Sequence, residues 1–284
     1  MPSSFLRPSF GRTATSIIDR GERAVTSGVL DAARPARIEI GAGPASGSFK
    51  TVGRSAADAE HMPDAPFTPA LGRFAPTRFY DFVIASTRER LWRALAVMYA
   101  APQPGQIVLD VGCGTGSTAV LVARVEPAAR IVGVDPDPEV LAIARRKANA
   151  AGVAVRWERG MGDRLVESFG AATVDTVVSS LVLHQCPLEM KRAILASMFA
   201  VLRPGGKLVI ADYGRQRTRL MRNAFRIVQL ADGVEDTGPN ADGVLPELIG
   251  AAGFRDVREA DVVPTITGSI SIYVARRDSA HSSR

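Results

Sequence analysis

The segment from Val108 to Gly116 constrains this chain most. An apolar run, Gln106–Val111, passes directly into glycines at 112, 114 and 116. Glycine is needed where the backbone takes left-handed angles or where a ligand must come up against the main chain. A buried strand that ends in such a turn and leads into a helix fits a doubly wound α/β plan.

The pattern downstream extends that plan. A helix is expected over Thr118–Val125 and a strand over Arg130–Val134. A helix over Pro138–Ala151 carries Leu141, Ala144 and Ala148 on one face. Strands follow at Val153–Trp157 and Val174–Ser179, a helix at Leu188–Leu202 and a strand at Lys207–Ala211. Apolar strands alternating with helices indicate a parallel sheet covered on both faces, with right-handed crossovers. Helices are expected over Arg219–Ala231 and Val244–Ala252. The last two strands, Val257–Val263 and Ser269–Ala275, are too close in sequence for a crossover helix and should pair antiparallel. The expectation is a Rossmann-like sheet of seven strands, mostly parallel, with one antiparallel C-terminal edge element.

Ahead of this, Phe79–Ala100 reads as an amphipathic helix. Residues 1–65 mix Ser, Ala, Gly, Pro and Arg without a sustained period, which is expected of a disordered extension. A start at Met62 is the alternative. The catalytic domain is expected over 66–277 and a disordered tail over 278–284.

Composition removes several classes. No apolar run reaches the roughly 18–20 residues of a transmembrane helix. The net charge of +6 raises a nucleic-acid reading. The excess is small for the length, and the arginines are scattered apart from one cluster, Arg215–Arg226, so nucleic acid is not the expected partner. Two cysteines, Cys113 and Cys186, make no disulfide framework, and three histidines give no zinc pattern. No metal is expected, and the setting is expected to be reducing and cytoplasmic.

Two signals carry chemistry. Asp110 stands just before the glycine turn, where a carboxylate suits a ligand bearing an ammonium and a sulfonium. Asp135 ends the next strand, in Gly133-Val-Asp135, where an acidic side chain reaches the hydroxyls of a nucleoside ribose. A dinucleotide fingerprint fits less well. Counted from Gly112 it wants glycine or alanine where Ser117 stands; counted from Gly114 it is met in part by Gly116 and Ala119; and Asp110 would repel a pyrophosphate.

With these residues in place, roughly 75–276 resembles the class I S-adenosylmethionine-dependent methyltransferases. The glycine turn, Asp135 and the segment Leu202–Asp212 (LRPGGKLVIAD) are similar to that superfamily in order and spacing. The small-molecule group that includes the ubiquinone/menaquinone biosynthesis methyltransferases is the nearest in flavour, matched loosely by Phe79-Tyr80-Asp81. The resemblance implies S-adenosyl-L-methionine as cofactor, with Gly112, Gly114 and Gly116 around its methionine part, Asp135 at ribose, and the loop Gly160–Asp163 along adenine. The implied cofactor set is Asp110, Gly112, Cys113, Gly114, Thr115, Gly116, Asp135, Pro136, Met161, Gly162, Ser180 and Tyr80. Relatives often carry an acidic residue where Met161 stands, and Asp163 is a candidate substitute.

The segment Ser179–Pro187 after the fourth strand faces the reacting centre in this architecture. His184 is either a general base or a packing histidine. Cys186 precedes a proline, whereas cytosine-C5 methyltransferases carry the reverse order, so a structural cysteine is expected. Arg215, Arg219, Arg222 and Arg226 share a helix face, with Leu220, Ala224, Ile227 and Ala231 opposite. That basic face is either solvated or meets an anionic substrate or a membrane surface. Tyr213, Met221, Arg222 and Phe225 are the candidate substrate contacts. The expected reaction methylates an oxygen or carbon of a small, partly apolar metabolite. The rivals are an RNA or DNA methyltransferase, a non-catalytic S-adenosylmethionine-binding module, and aminopropyl transfer on the same fold.

Overall fold

The computed structural model describes residues 88–279. The expected N-terminal extension over 1–65, the first part of the Phe79–Ala100 helix with Tyr80, and residues 280–284 of the tail lie outside the described residues. Helix α1 (Glu89–Ala100) precedes the central strand β1 (Ile107–Val111), which is buried along its whole length. Helix α2 (Ser117–Val125), strand β2 (Arg130–Asp135), helix α3 (Pro138–Ala151) and strand β3 (Arg156–Arg159) complete the first half. The second half begins with helix α4 (Leu165–Phe169), strand β4 (Val174–Ser180), helix α5 (Leu188–Val201) and strand β5 (Leu202–Tyr213). It closes with helices α6 (Arg219–Asp232), α7 (Val234–Asp242) and α8 (Leu245–Ala251) and strands β6 (Arg255–Thr265) and β7 (Gly268–Arg276).

The seven strands lie in the order β3-β2-β1-β4-β5-β7-β6. β1 pairs parallel with β2 on one side and β4 on the other, so the strand order reverses beside its carboxyl end. That reversal opens a crevice where ligands bind in open α/β sheets. Only β7 runs against the rest, paired antiparallel with both β5 and β6. The expectation of an antiparallel edge strand is therefore corrected in one respect. β7 inserts between β5 and β6, and β6 forms the edge, where Pro264 leaves no N–H to be wasted within a central strand.

Both faces are covered. One layer packs Leu109, Val132, Val177 and Ile210 against Leu195 and Met198 of α5 and Leu245 of α8. The other packs Val108, Ile131, Val178 and Val209 against Trp92 and Val97 of α1, Val122 of α2 and Phe225 of α6. Helix α3 begins and ends where its sequence says it should. Asp137 caps Glu139 N–H, Pro138 occupies the first turn, and Gly152 closes the helix in a left-handed conformation.

β3 starts three residues later than expected. Val153 N–H bonds back to Ala148 O and finishes the helix cap, so its apolar character serves the α3 terminus rather than a ladder. Two helices were not foreseen. α4 is a single short turn, and α7 contains Gly238 and Pro239, which read as breakers. α7 forms because its ends are tied elsewhere: Asn240 Nδ2 donates to Tyr213 O at 3.0 Å.

Trp157 of β3 reaches under β2. A Cβ added at Gly133 would stand 2.5 Å from its ring and 3.0 Å from Cys113 Sγ. Gly133→Val should cost roughly 1–3 kcal/mol through overpacking and lower the Tm by several degrees in calorimetry. An unchanged Tm would show that this ring does not bear on β2.

Candidate active site

β1 ends at Val111, and Gly112, Gly114 and Gly116 follow at φ +68°, +51° and +77°. These left-handed angles are open to glycine at little cost. The turn is pinned to β2: Gly112 and Cys113 N–H donate to Val134 O at 2.9 and 3.0 Å, and Gly114 N–H to Asp135 Oδ2 at 2.9 Å. A Cβ on Gly112 would lie 2.3 Å from Val182, and one on Gly116 2.4 Å from Trp157. One on Gly114 would meet nothing within 4 Å. Gly114 faces the cavity that opens at the carboxyl ends of β1, β2 and β4.

That cavity brings together Gly112, Cys113, Gly114, Thr115, Asp135, Pro136, Met161, Gly162 and Ser180 from the expected set. Asp135 Oδ1 also accepts from Asp137 N–H at 3.0 Å. Burial pushes its carboxyl up, and the N–H groups of Asp137 and Gly114 work against that rise. Val182, Gln185, Cys186, Pro187, Met190 and Ile194 form a largely apolar part of the wall.

Several expected residues stand elsewhere. Asp110 is fully buried behind the turn, where Oδ2 accepts Ala119 N–H at 3.1 Å in the first turn of α2. Burial pushes its carboxyl up to about 7, against the charge of Arg93 and that N–H. Asp110 therefore shapes the turn from below and does not line the cavity. Gly116 likewise packs under it. Asp163, the candidate adenine partner, is not in the wall either; its Oδ1 is buried without a hydrogen-bond partner.

His184 turns inward, away from the cavity. Its Nδ1 lies 2.7 Å from Asp212 Oδ1 and its Nε2 3.4 Å from Asp232 Oδ2. Burial disfavours its charge, but the Asp212 and Asp232 carboxylates outweigh that and push it up to about 9. Both ring nitrogens face carboxylates and His184 is not in the cavity wall, an arrangement that favours the packing alternative over the general base. Asp212 Oδ2 also accepts the N–H groups of Val182 and Leu183 at 3.1 and 2.7 Å. Lys191, with no exposed surface, donates to Cys186 O and Asp236 O at 2.6 and 2.7 Å. Together these bonds fix the loop after β4, whose Leu181 takes a left-handed φ of 56°.

The candidate substrate contacts do not reach the cavity. Tyr213 is buried with its hydroxyl 2.7 Å from Thr267 Oγ1. Phe225 packs on the Tyr213 ring at 5.0 Å. Arg222 is exposed beside Asp242, and Met221 is half-buried on the same helix. Phe225 and Val228 are the residues of α6 that enter the core, and no residue of α6 lines the cavity.

Glu89 and Arg93 of α1 were missed. Both line the cavity, and Arg93 Nη2 meets Glu89 Oε1 at 2.5 Å. Arg93 also donates to Thr118, while its buried Nε has no partner. Their i, i+4 spacing is visible in the sequence, but only tertiary packing sets α1 beside the glycine turn. Both cysteines are free, and burial raises both thiols, Cys186 to about 11. Neither is a thiolate nucleophile at neutral pH.

Comparison with known proteins agrees with this geometry. A family profile described as a methyltransferase domain matches residues 108–206. The demethylmenaquinone methyltransferase of Thermus thermophilus is 35% identical over 122 residues, 43% of this chain and 54% of that protein. The chain spans about half the length of this relative and of the Deinococcus radiodurans one, 54% and 56%. It covers more of the ubiquinone/menaquinone biosynthesis C-methyltransferase of Rubrivivax gelatinosus, which is 32% identical over 190 residues, 61% of this chain and 72% of that protein. The fold is also that of magnesium protoporphyrin IX methyltransferase from Synechocystis, at a TM-score of 0.54 and 18% identity over 74% of this chain and 91% of that one. The glycine turn on β1, the carboxylate on β2 and these likenesses lead to one conclusion: the chain belongs to the class I S-adenosylmethionine-dependent methyltransferases, among relatives of the ubiquinone/menaquinone biosynthesis enzymes.

Proposed function

We propose that this chain transfers the methyl group of S-adenosylmethionine to an oxygen or carbon nucleophile on a small, partly apolar metabolite of quinone type. The observation that carries this reading is the convergence of Asp135 and the Gly112–Gly116 turn on one cavity, part of whose wall, around Val182, Pro187, Met190 and Ile194, is apolar. The residues fit the cofactor. Gly114 leaves open space, Asp135 offers a carboxylate, and Arg93 presents a buried Nε without a partner. The turn would hold the methionine part, Asp135 the ribose hydroxyls, and Pro136, Met161 and Gly162 the adenine. When bound, the cofactor supplies an electrophilic methyl group on a positively charged sulfur.

The chain's own contribution is orientation and exclusion of water. Among the described residues, the carboxylates of the cavity wall are Glu89, Asp135 and Asp137. Glu89 is engaged by Arg93, Asp135 by two backbone N–H groups, and Asp137 by Glu139 N–H. In this reading the acceptor brings its own nucleophilicity, as an ionised phenol or the electron-rich ring of a hydroquinone does. The Thermus and Deinococcus relatives are demethylmenaquinone methyltransferases, which favours the same acceptor class. Two free cysteines suit a reducing, cytoplasmic setting.

The direct test is transfer of a labelled methyl group to a demethylated naphthohydroquinone, with mass spectrometry of the product. Binding of the cofactor without transfer to any phenolic or hydroquinone acceptor would reject the reaction. Asp135→Ala should weaken S-adenosylmethionine binding by roughly 10–100-fold in calorimetry, the scale of lost hydrogen bonds to a charged group. Unchanged affinity would remove Asp135 from the ribose site.

His184 gives a pH signature. Its pKa is raised on folding from 6.5 to about 9, so its stabilisation is full below 6.5 and lost as pH rises through 9. The Tm should decline across that window. His184→Gln should cost roughly 3–5 kcal/mol, because it leaves buried carboxylates uncompensated, and should flatten the alkaline decline. A decline of equal size in the variant would assign it to other groups.

A further inference from the structure

Helix α6 carries an apolar stripe that the described residues leave uncovered. Leu220, Ile227 and Leu230 are 79%, 58% and 88% exposed, and Val234 at the start of α7 is 66% exposed. Only Phe225 and Val228 of α6 are buried, so the core uses one side of the helix and leaves a second apolar side outward. Single exposed leucines are ordinary, but a run of large ones along one helix is not.

The border of this stripe is cationic. Between Arg215 and Ala231 there are five arginines and no acidic residue. Arg217 is engaged by Glu259 and Arg222 by Asp242; Arg215, Arg219 and Arg226 have no ion pair among the described residues. On a helical wheel Arg219 and Arg226 lie together along one side of the stripe, next to Leu230, and Asn223 falls between Leu230 and Ile227. Glu235 and Asp236 of α7 mark the acidic limit of the patch.

We infer that the outward face of α6 docks on an anionic lipid bilayer, with Leu220, Ile227 and Leu230 in the acyl boundary and Arg219 and Arg226 at the headgroups. An amphipathic helix with arginines bordering large apolar side chains has the composition for that interface. At 14 residues α6 lies on a bilayer and does not cross it, and no helix of the described residues is long and apolar enough to cross. A second copy of the chain fits less well, since α6 against α6 would bring the arginine rows together. The docked face is linked to the cavity. α6 follows the carboxyl end of β5, and its last residue, Asp232, meets His184 in the loop whose Gln185 and Cys186 line the cavity wall. This inference stands whether or not the acceptor proposed above is lipid-soluble.

The test is co-sedimentation of the full chain with vesicles of phosphatidylcholine alone and of phosphatidylcholine with phosphatidylglycerol at 3:1. The wild type should partition onto the anionic vesicles and weaken as salt rises. Leu220→Ser/Ile227→Ser/Leu230→Ser should reduce that partition roughly tenfold or more, from the lost apolar burial. Arg219→Gln/Arg226→Gln should remove the preference for phosphatidylglycerol. Both variants should keep wild-type S-adenosylmethionine affinity and circular dichroism, since α6 does not line the cavity. Three results would overturn the inference: no binding to anionic vesicles by the wild type, equal binding by the apolar variant, or a wild-type dimer in sedimentation that the apolar variant dissolves.

Discussion

The hydrogen bonds between the glycine turn and the end of β2 hold the rest of the site in place. Val134 O receives the N–H groups of Gly112 and Cys113, and the Asp135 carboxylate receives that of Gly114. The acidic side chain best suited to a ribose is therefore also a structural partner of the loop that would surround the methionine part. This arrangement fixes the turn and the carboxylate relative to one another on rigid strands, the condition under which hydrogen bonds orient a ligand at low entropic cost. Asp110 contributes from behind by satisfying an N–H in the first turn of α2, which keeps the helix start against the turn.

The other half of the cavity depends on buried charge. His184 bridges Asp212 and Asp232, and Lys191 ties the carbonyls of Cys186 and Asp236. Both groups join the loop after β4 to the α6–α7 corner. A loop of apolar residues has little of its own to fix its path, and here backbone groups of Val182 and Leu183 are gathered by one aspartate. Buried ion pairs stabilise weakly in net terms, yet they specify geometry when every member is satisfied. The left-handed Leu181 is a local cost of that geometry.

Much of this was legible where local rules govern. The strand-to-glycine transition, Asp135, and the bounds of α3 follow from residues within a turn of one another, through left-handed angles, caps and a proline. β3 was misplaced because Val153 and Val155 look like strand residues while Val153 completes the α3 cap. α7 was hidden by Gly238 and Pro239, whose local preference yields to contacts such as Asn240 with Tyr213. Glu89 and Arg93 escaped notice because nothing in a helix's own spacing tells which strand ends it will stand beside. His184 was singled out as a lone histidine, but its direction is set by two carboxylates far along the chain. The lateral place of β7 also depends on long-range pairing, since a hairpin sequence specifies its partner and not which arm turns inward.

One indole has a consequence for how this site can change. Trp157 fills the space that side chains on Gly116 and Gly133 would need, at 2.4 and 2.5 Å respectively. Two glycines, one in the turn and one on β2, therefore answer to the same ring. Enlarging either one requires the ring to give way, although a side chain at 116 must also clear the Ala144 Cβ at 2.8 Å and one at 133 the Cys113 Sγ at 3.0 Å. Coupled substitutions of this kind are non-additive. The three positions should drift through evolution as a single linked unit, with a bulky aromatic on the edge strand accompanied by bare backbone beneath the turn.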